Sequence, residues 1–428
     1  MKYIFVQIAC YKDKEIVSTI QDCIAKADNP KRLRFGICWQ KEPNDTCLAE
    51  YQNKDSFKIL NFHYRESKGV CWARHMIQKL YDGEEYILQI DSHHRFVKNW
   101  DRILLRMIKE TGSNKPILSS YGPSYFTDNL HQLDLTPTKI GFHRFSPAGI
   151  LLQKPIYIND FKKIRHPLPA RFLSGHLLFT SGKFIEEVPY DPGLYFHGEE
   201  ISMAVRAHTH GYDLFHPNKL ILWHLYAKGQ STHHAYDHDP YKHTEGPWWS
   251  DLEINSVRRI RTMLGTPPGI DEFENTKKPA NLGKYGLGKN RTLRDYEKYA
   301  GISFKFQSVH NYTLENRSPP NPFIIGGEYD WERSFDQTYK VVVEFAKKEN
   351  SDLQTEHTFW YVGAHDSTGK ELYRNDLQEQ YTQQLLKNDV IRLSFNVSSS
   401  RIPQSCTIWP YSPKRGWLTK TVKQINIS

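Results

Sequence analysis

The sequence predicts an α/β fold with a mostly parallel sheet, followed by a small all-β, sandwich-like unit. Three observations predict it. Short apolar runs alternate with helix-length amphipathic segments through the first 110 residues, which is the signature of βαβ units. A proline cluster at Pro319, Pro320 and Pro322 punctuates the chain as a linker does. Beyond that cluster the apolar period changes from the helical 3.6 to the strand period of 2. These features divide the 428 residues into an α/β part over 1–318 and a β-rich accessory part over 325–428.

Taken in order, residues 3–8 read as a buried strand, and 15–27 as a helix with Ile16, Ile20, Cys23, Ile24 and Ala27 on one face. Asn29-Pro30 stops that helix. Residues 33–39 and 57–64 read as further strands, 70–81 as a helix, and the run from Tyr86 as a strand ending at Asp91. A helix over 100–109 and a strand over 116–121 follow, and the stretch to about 171 reads as irregular. Residues 175–180 are strand-like, 199–209 helical, and 220–224 a short apolar strand ending in His224. The segment 231–249 is rich in His, Asp, Pro, Tyr and Trp and reads as a loop or lid. A helix over 293–299 closes this part. In the second part, 339–345, 358–362 and 390–397 read as strands, with a turn at Asp366-Ser367-Thr368-Gly369.

Composition narrows the chemistry. The chain is 39% hydrophobic and 25% charged, as a globular protein is, and its net charge of +9 suits an anionic partner. That charge is diffuse, with no polybasic block, so a nucleic-acid partner is not expected. Six cysteines without a Cys-x-x-Cys pair read as reduced thiols in a cytoplasmic protein. No apolar run reaches 18 residues, so no transmembrane segment is expected. The apolar residues 1–10 are too short for a signal peptide. Neither Gly-x-Gly-x-x-Gly nor a Walker loop is present, which argues against dinucleotide and P-loop chemistry.

Asp91-Ser92-His93 is the most informative element. Ligands bind beyond the carboxyl ends of strands in open α/β sheets. An acid and an imidazole delivered there form a mixed oxygen and nitrogen set for a divalent ion. The competing reading is a surface turn. His224, at the end of a second apolar strand, is the candidate third ligand, or else a satisfied core histidine. Glu199 and Glu200 follow Gly198 at a helix start, where acids also serve as plain dipole caps. Arg74 lies at a helix entry where it suits pyrophosphate, or is simply an exposed helix arginine. Eight of the twenty histidines fall between His208 and His243. They form either a polar rim with a pH-sensitive lid or mere composition, because a zinc site's spacing is missing.

The ordered set of Arg74 in Gly-Val-Cys-Trp-Ala-Arg, Asp91-Ser92-His93, Ser174-Gly175-His176-Leu177-Leu178-Phe179, Tyr190-Asp191-Pro192, His197-Gly198-Glu199-Glu200 and His224 resembles the GT-A glycosyltransferases. More narrowly it resembles the polypeptide N-acetylglucosaminyltransferases that include the Skp1-hydroxyproline enzyme. The Asp-Ser-His and Gly-Glu elements are also similar to those of the polypeptide GalNAc-transferases. Tyr285 to Leu293 resembles the former family's end-of-domain motif, and the likeness covers about residues 1–305.

The resemblance implies a GT-A, Rossmann-like catalytic domain that moves a sugar, GlcNAc by the narrower likeness, from a UDP-sugar to a hydroxyl of a polypeptide or glycan with retention. It implies Mn²⁺, or Mg²⁺, on Asp91, His93 and His224. Tyr11, Arg74, Asp91, Ser92, Gly175, His176, His197 and Gly198 would touch the UDP-sugar, and Glu199, Glu200 and Arg74 would serve catalysis. Two departures bear on the sugar pocket. Phe196-His197-Gly198-Glu199-Glu200 stands where GalNAc-transferases carry Trp-Gly-Gly-Glu-Asn, and Ala227 and Lys228 replace an arginine after the metal histidine. The alternatives are transfer of another UDP-sugar to a surface glycan, and a non-catalytic carbohydrate-binding protein.

Overall fold

The computed structural model describes residues 2–425 apart from 128–132, 147, 227–233, 243–244, 268–277, 323–326, 328–329, 332–333 and 336. In the first half the chain runs β1 (Ile4–Tyr11), α1 (Ile16–Lys26), β2 (Leu33–Lys41), β3 (Phe57–His63), α2 (Val70–Gln78), β4 (Tyr86–Asp91), β5 (His94–Phe96), α3 (Trp100–Glu110) and β6 (Pro116–Ser119). A hairpin follows, β7 (Thr138–Phe145) and β8 (Leu151–Tyr157). Then come β9 (Leu168–Pro169), β10 (Leu177–Ser181), α4 (Phe184–Glu187), α5 (Glu199–Thr209), β11 (Asp213–His216) and β12 (Leu222–His224).

Eight strands form one sheet in the order β3-β2-β1-β4-β10-β6-β11-β9. The β3-β2-β1-β4 half is wholly parallel, and β6 with β11 adds a further parallel pair. Strand β10 runs against both neighbours, which makes the sheet mixed. Side chains alternate across the pleat, as a strand requires. Ile4, Val6, Ile8 and Cys10 of β1 pack with α1 and α3 on one face, while Phe5 packs with α2 and α5 on the other. Chain connections leave β1 toward β2 on one side, and β4 lies on its other side. The crevice at the carboxyl ends of β1 and β4 is therefore a switch point, the place where such sheets bind ligands.

The helical closure consists of α6 (His234–Asp237), α7 (Trp249–Leu264) and α8 (Leu293–Ala300). A small pair, β13 (Ile302–Ser303) with β14 (Ser308–Val309), and the short α9 (Asn311–Leu314) end this part. Next come β15 (Gln337–Ala346), β16 (Phe359–His365), β17 (Glu371–Gln378), α10 (Glu379–Leu385), β18 (Val390–Ser399), β19 (Ser405–Ser412), β20 (Gly416–Trp417) and β21 (Thr421–Gln424). The β15-β18 ribbon and the sheet built on β17-β16-β19 enclose their own core of Val341, Phe345, Trp360, Val362, Ile391 and Ile408. The sequence led us to expect an all-β unit after the proline cluster; the unit has the two β layers but also carries the helix α10, which the expectation lacked. It leans on the first part through Gln404, which donates to Gln307 at 3.3 Å, and through Arg401, 4.8 Å from the ring centre of Phe306.

Two further sequence expectations need correction. The stretch expected to be irregular contains the β7-β8 hairpin, whose alternation is hidden by a bulge between Phe142 and Arg144 and by Pro155 within a strand. The segment expected as a loop over 231–249 carries the helical turn α6, and the sixteen-residue α7 that begins at Trp249 was not foreseen.

Candidate active site

Asp91 ends β4, and the chain turns through Ser92 and His93 into β5. Strand β12 pairs with β5 so that His224 sits opposite His94. One ligand atom each from Asp91, His93 and His224 lies within 4.8 Å of the others. An ion held at about 2.0–2.6 Å places its ligand atoms at most about 4–5 Å apart, so the set fits a divalent cation. The imidazole of His224 supplies an independent sign. Both of its ring nitrogens are buried and make no hydrogen bond, although Nε2 stands 3.4 Å from Asp91. An ion held between Asp91 and His224 would satisfy Nε2.

Asp13, two residues past β1, was not singled out from the sequence. Its carboxylate accepts from Nδ1–H of His93 at 2.6 Å and from the Ser92 hydroxyl at 2.5 Å. Burial raises the pKa of Asp13, but the His93 and Ser92 bonds outweigh it and hold the group below its ordinary value. Since an ionised carboxylate cannot donate, His93 carries a proton on Nδ1 and leaves Nε2 as the nitrogen not engaged by Asp13. Burial lowers the pKa of the ring, but Asp13 and Asp91 outweigh it and raise it.

Arg74 is 2% exposed and is not an exposed helix arginine. Its guanidinium donates to Asp91 at 2.7 Å and to Glu199, which also accepts from the Tyr190 hydroxyl at 2.8 Å. Burial raises the pKa of Asp91, while His224, Arg74 and His93 lower it, and the net is a carboxylate well below its ordinary range. Gly198, at φ +86°, lets the chain turn sharply into α5 and sets Glu199 and Glu200 in its first turn. Glu199 is thereby committed to Arg74. Glu200 accepts from the Gly175 N–H at 2.9 Å and from the Tyr121 hydroxyl, and burial pushes its pKa up to about 7.

Two cavities meet at Asp91 and His224. The first, about 650 Å³, is lined by Tyr11, Asp13, Gln40, Ser67, Ser92, His93, Tyr195 and His234 among others. Helix α6 closes over it. His234 bridges the Tyr195 hydroxyl at 3.0 Å and Ser67 at 2.9 Å, and Asp237 accepts from Tyr11 at 2.8 Å and Lys12 at 3.0 Å. The second, about 540 Å³, is lined by Arg74, Tyr121, Gly175, His176, Glu199 and Glu200, with the β7-β8 hairpin as its outer wall. His197 and Phe196 border both, and Gly198 the second. His176 is buried, accepts from the Gly122 N–H at 2.9 Å and stacks on His224 with ring centres 4.3 Å apart. Every site residue expected from the sequence thus lies at one of these cavities. Ala227 and Lys228 fall outside the described residues.

The profile of the Glycosyltransferase (GlcNAc) family matches residues 3–59 and 48–306, most of the chain. The chain belongs to this glycosyltransferase family. Among solved structures, the transferase is similar to GalNAc-T7 with UDP, GalNAc and Mn²⁺, at 15% identity and a TM-score of 0.46 over 62% of this chain and 49% of that one. It is also similar to S. aureus TarS 1–349 in complex with UDP-GlcNAc, at 15% identity and a TM-score of 0.33 over 53% and 59% of the two chains. The chain spans about half the length of the GalNAc-T7 chain it matches. No curated protein sequence matches it. Among the described residues no helix is long and apolar enough to cross a membrane.

Proposed function

We propose that this glycosyltransferase has the GT-A fold and moves a sugar, GlcNAc, from its UDP donor to a hydroxyl of a polypeptide with retention. The observation that carries the reading is the Asp91, His93 and His224 set at the junction of the two cavities. The family supports a sugar donor. The resemblance to the Skp1-hydroxyproline enzymes supports GlcNAc, and a serine, threonine or hydroxyproline acceptor. The division into a transferase over 1–318 and an accessory unit over 325–428 is part of the same proposal, because neither cavity takes a lining residue beyond Glu253. Six free cysteines, five of them buried, fit a cytoplasmic setting.

The barrier in such a transfer is charge separation as the nucleoside diphosphate departs. Mn²⁺ or Mg²⁺ on Asp91, His93 and His224 would supply Lewis-acid neutralisation of that charge. The first cavity holds the nucleotide beneath α6, and the second admits sugar and acceptor beside Glu200 and Tyr121. Arg74 acts through others, fixing Asp91 and Glu199. With Glu199 committed to Arg74 and Tyr190 and Glu200 to Tyr121 and the Gly175 N–H, neither glutamate lining the second cavity is unengaged among the described residues, which favours attack from the face the diphosphate leaves.

The test is UDP release from a panel of UDP-sugars with Mn²⁺, with EDTA, and in Asp91→Asn, His93→Ala and His224→Ala proteins. Release from UDP-GlcNAc that is lost on chelation and in the folded variants is expected. Undiminished release in those variants would sink the metal assignment, and release from another sugar alone would sink the donor.

A further inference from the structure

The outer wall of the second cavity has a charge that the rest of the site does not explain. From Thr138 to Tyr157 the chain carries Lys139, Arg144 and Lys154 and not one Asp or Glu. Arg144 and Lys154 are exposed, and among the described residues neither side chain makes an ion pair or hydrogen bond. Between Phe142 and Arg144 the register slips, so His143 is the bulged residue and faces no partner on β8. Bulges re-aim side chains beside active sites, and here the bulged His143 lines the cavity. Burial, Arg144 and Lys154 all lower its pKa, which places both cations close to it.

Below this cationic rim the wall changes character. Leu152 and Pro155 line it, and Phe196 stands 60% exposed at its edge. Within it the side-chain amide of Gln153 has both its nitrogen and its oxygen buried and unpartnered. A primary amide offers one donor group and one acceptor, the same pair a peptide bond needs.

We propose that the acceptor is an acidic polypeptide segment, bound along the β7-β8 hairpin with its Asp or Glu side chains against Arg144 and Lys154. Its main chain meets the Gln153 amide as that side chain turns out into the cavity, and an apolar residue beside the accepting hydroxyl meets Leu152 and Phe196. The apolar floor and the amide favour a peptide over a polyanionic polyol, which has neither apolar side chains nor amides. This inference rests on the transferase reading above and names the acceptor class of that same site.

The experiment uses the full chain, the UDP-sugar it hydrolyses, and three peptides sharing one hydroxyl-bearing core flanked by Glu, by Ala or by Lys. A polyphosphodiester chain with free hydroxyls is the fourth acceptor. The Glu-flanked peptide is expected to show a KM about tenfold below the Ala-flanked one, the size two surface ion pairs supply. The advantage should shrink at high salt. In Arg144→Glu/Lys154→Glu protein the order should invert toward the Lys-flanked peptide while acceptor-free UDP release is unchanged. Intact UDP release with equal use of all three peptides, with labelling of the polyphosphodiester alone, or with a preference that survives charge reversal overturns the acidic acceptor and leaves the transferase reading standing. Loss of UDP release in the unaltered protein instead overturns the transferase reading, and the acceptor with it.

Discussion

The carboxylate of Asp13 accepts a hydrogen bond from Nδ1–H of His93 at 2.6 Å, across eighty residues of chain. A carboxylate bonded to the far nitrogen of a ligating histidine fixes ring orientation and tautomer and raises ligand basicity, and its loss typically costs about 10–100-fold in metal affinity. Asp13→Asn keeps an acceptor oxygen but removes the charge. It should weaken Mn²⁺ binding about tenfold in a calorimetric titration, and Asp13→Ala should weaken it further. Unaltered affinity in Asp13→Ala protein with a native unfolding midpoint would show that His93 needs no such partner.

Arg74 bridges Asp91 and Glu199 in a site where its side chain is almost wholly enclosed. Removing one member of a buried charge set leaves the others uncompensated, at a cost of about 3–5 kcal/mol. Arg74→Met should therefore lower unfolding stability by about that much in urea titrations. The double variant Arg74→Met/Glu199→Gln should recover part of the loss, because one of the two stranded carboxylates is then neutral. Equal instability of single and double variants would assign the loss to packing of the long side chain instead.

The Asp91, His93 and His224 set was legible because two of its members end apolar runs and His93 follows Asp91 by two residues, and an apolar run that stops in an acid or a histidine marks a strand's exit from the core. Asp91 and His224 both carry that mark. Asp13 did not, since its relation to His93 exists only once β1 and β4 lie side by side. An acid two residues beyond a strand adjacent to the metal strand is the signal that would have found it. Arg74 and Glu199 were legible as candidate site residues, yet their pairing was hidden because a sequence does not tell a charge spent on a neighbour from one offered to a ligand. The β7-β8 hairpin was missed for a different reason. His143 breaks the period of two at the bulge and Pro155 breaks strand propensity, so the local pattern contradicts a structure that tertiary pairing imposes.

Glu200 gives a pH dependence with a definite sign. Its pKa rises from 4.5 to about 7 in the folded protein. Between those values the unfolded chain has released the proton while the folded one still holds it. Folding stability therefore falls as pH rises through this window. Stability of metal-free protein relative to Glu200→Gln, which stays neutral throughout, should drop by roughly 1–3 kcal/mol between pH 4.5 and 7 and then level off. A difference that stays flat across the window would mean that Glu200 ionises as an exposed glutamate does.

Gly175 is the tightest point beneath the charged cluster. Its N–H donates to Glu200 and its carbonyl accepts from Gln89 at 2.7 Å, so the backbone is held from both sides. A Cβ placed there would stand 2.8 Å from Nη1 of Arg74 and 3.2 Å from Oε1 of Glu199. The backbone cannot retreat, so the Arg74–Glu199 pair must move, and with it the anchor of Asp91. Gly175→Ala should cost about 1–3 kcal/mol in stability, as overpacking does, and more than tenfold in UDP release, since small displacements at a reacting centre cost about a hundredfold. Arg74→Lys in the same protein removes the atom the methyl strikes. It should restore part of the stability but not the activity, because one ammonium cannot span two carboxylates as the guanidinium fork does. If Gly175→Ala alone leaves UDP release at the native rate, the geometry of the Arg74 pair does not limit the reaction.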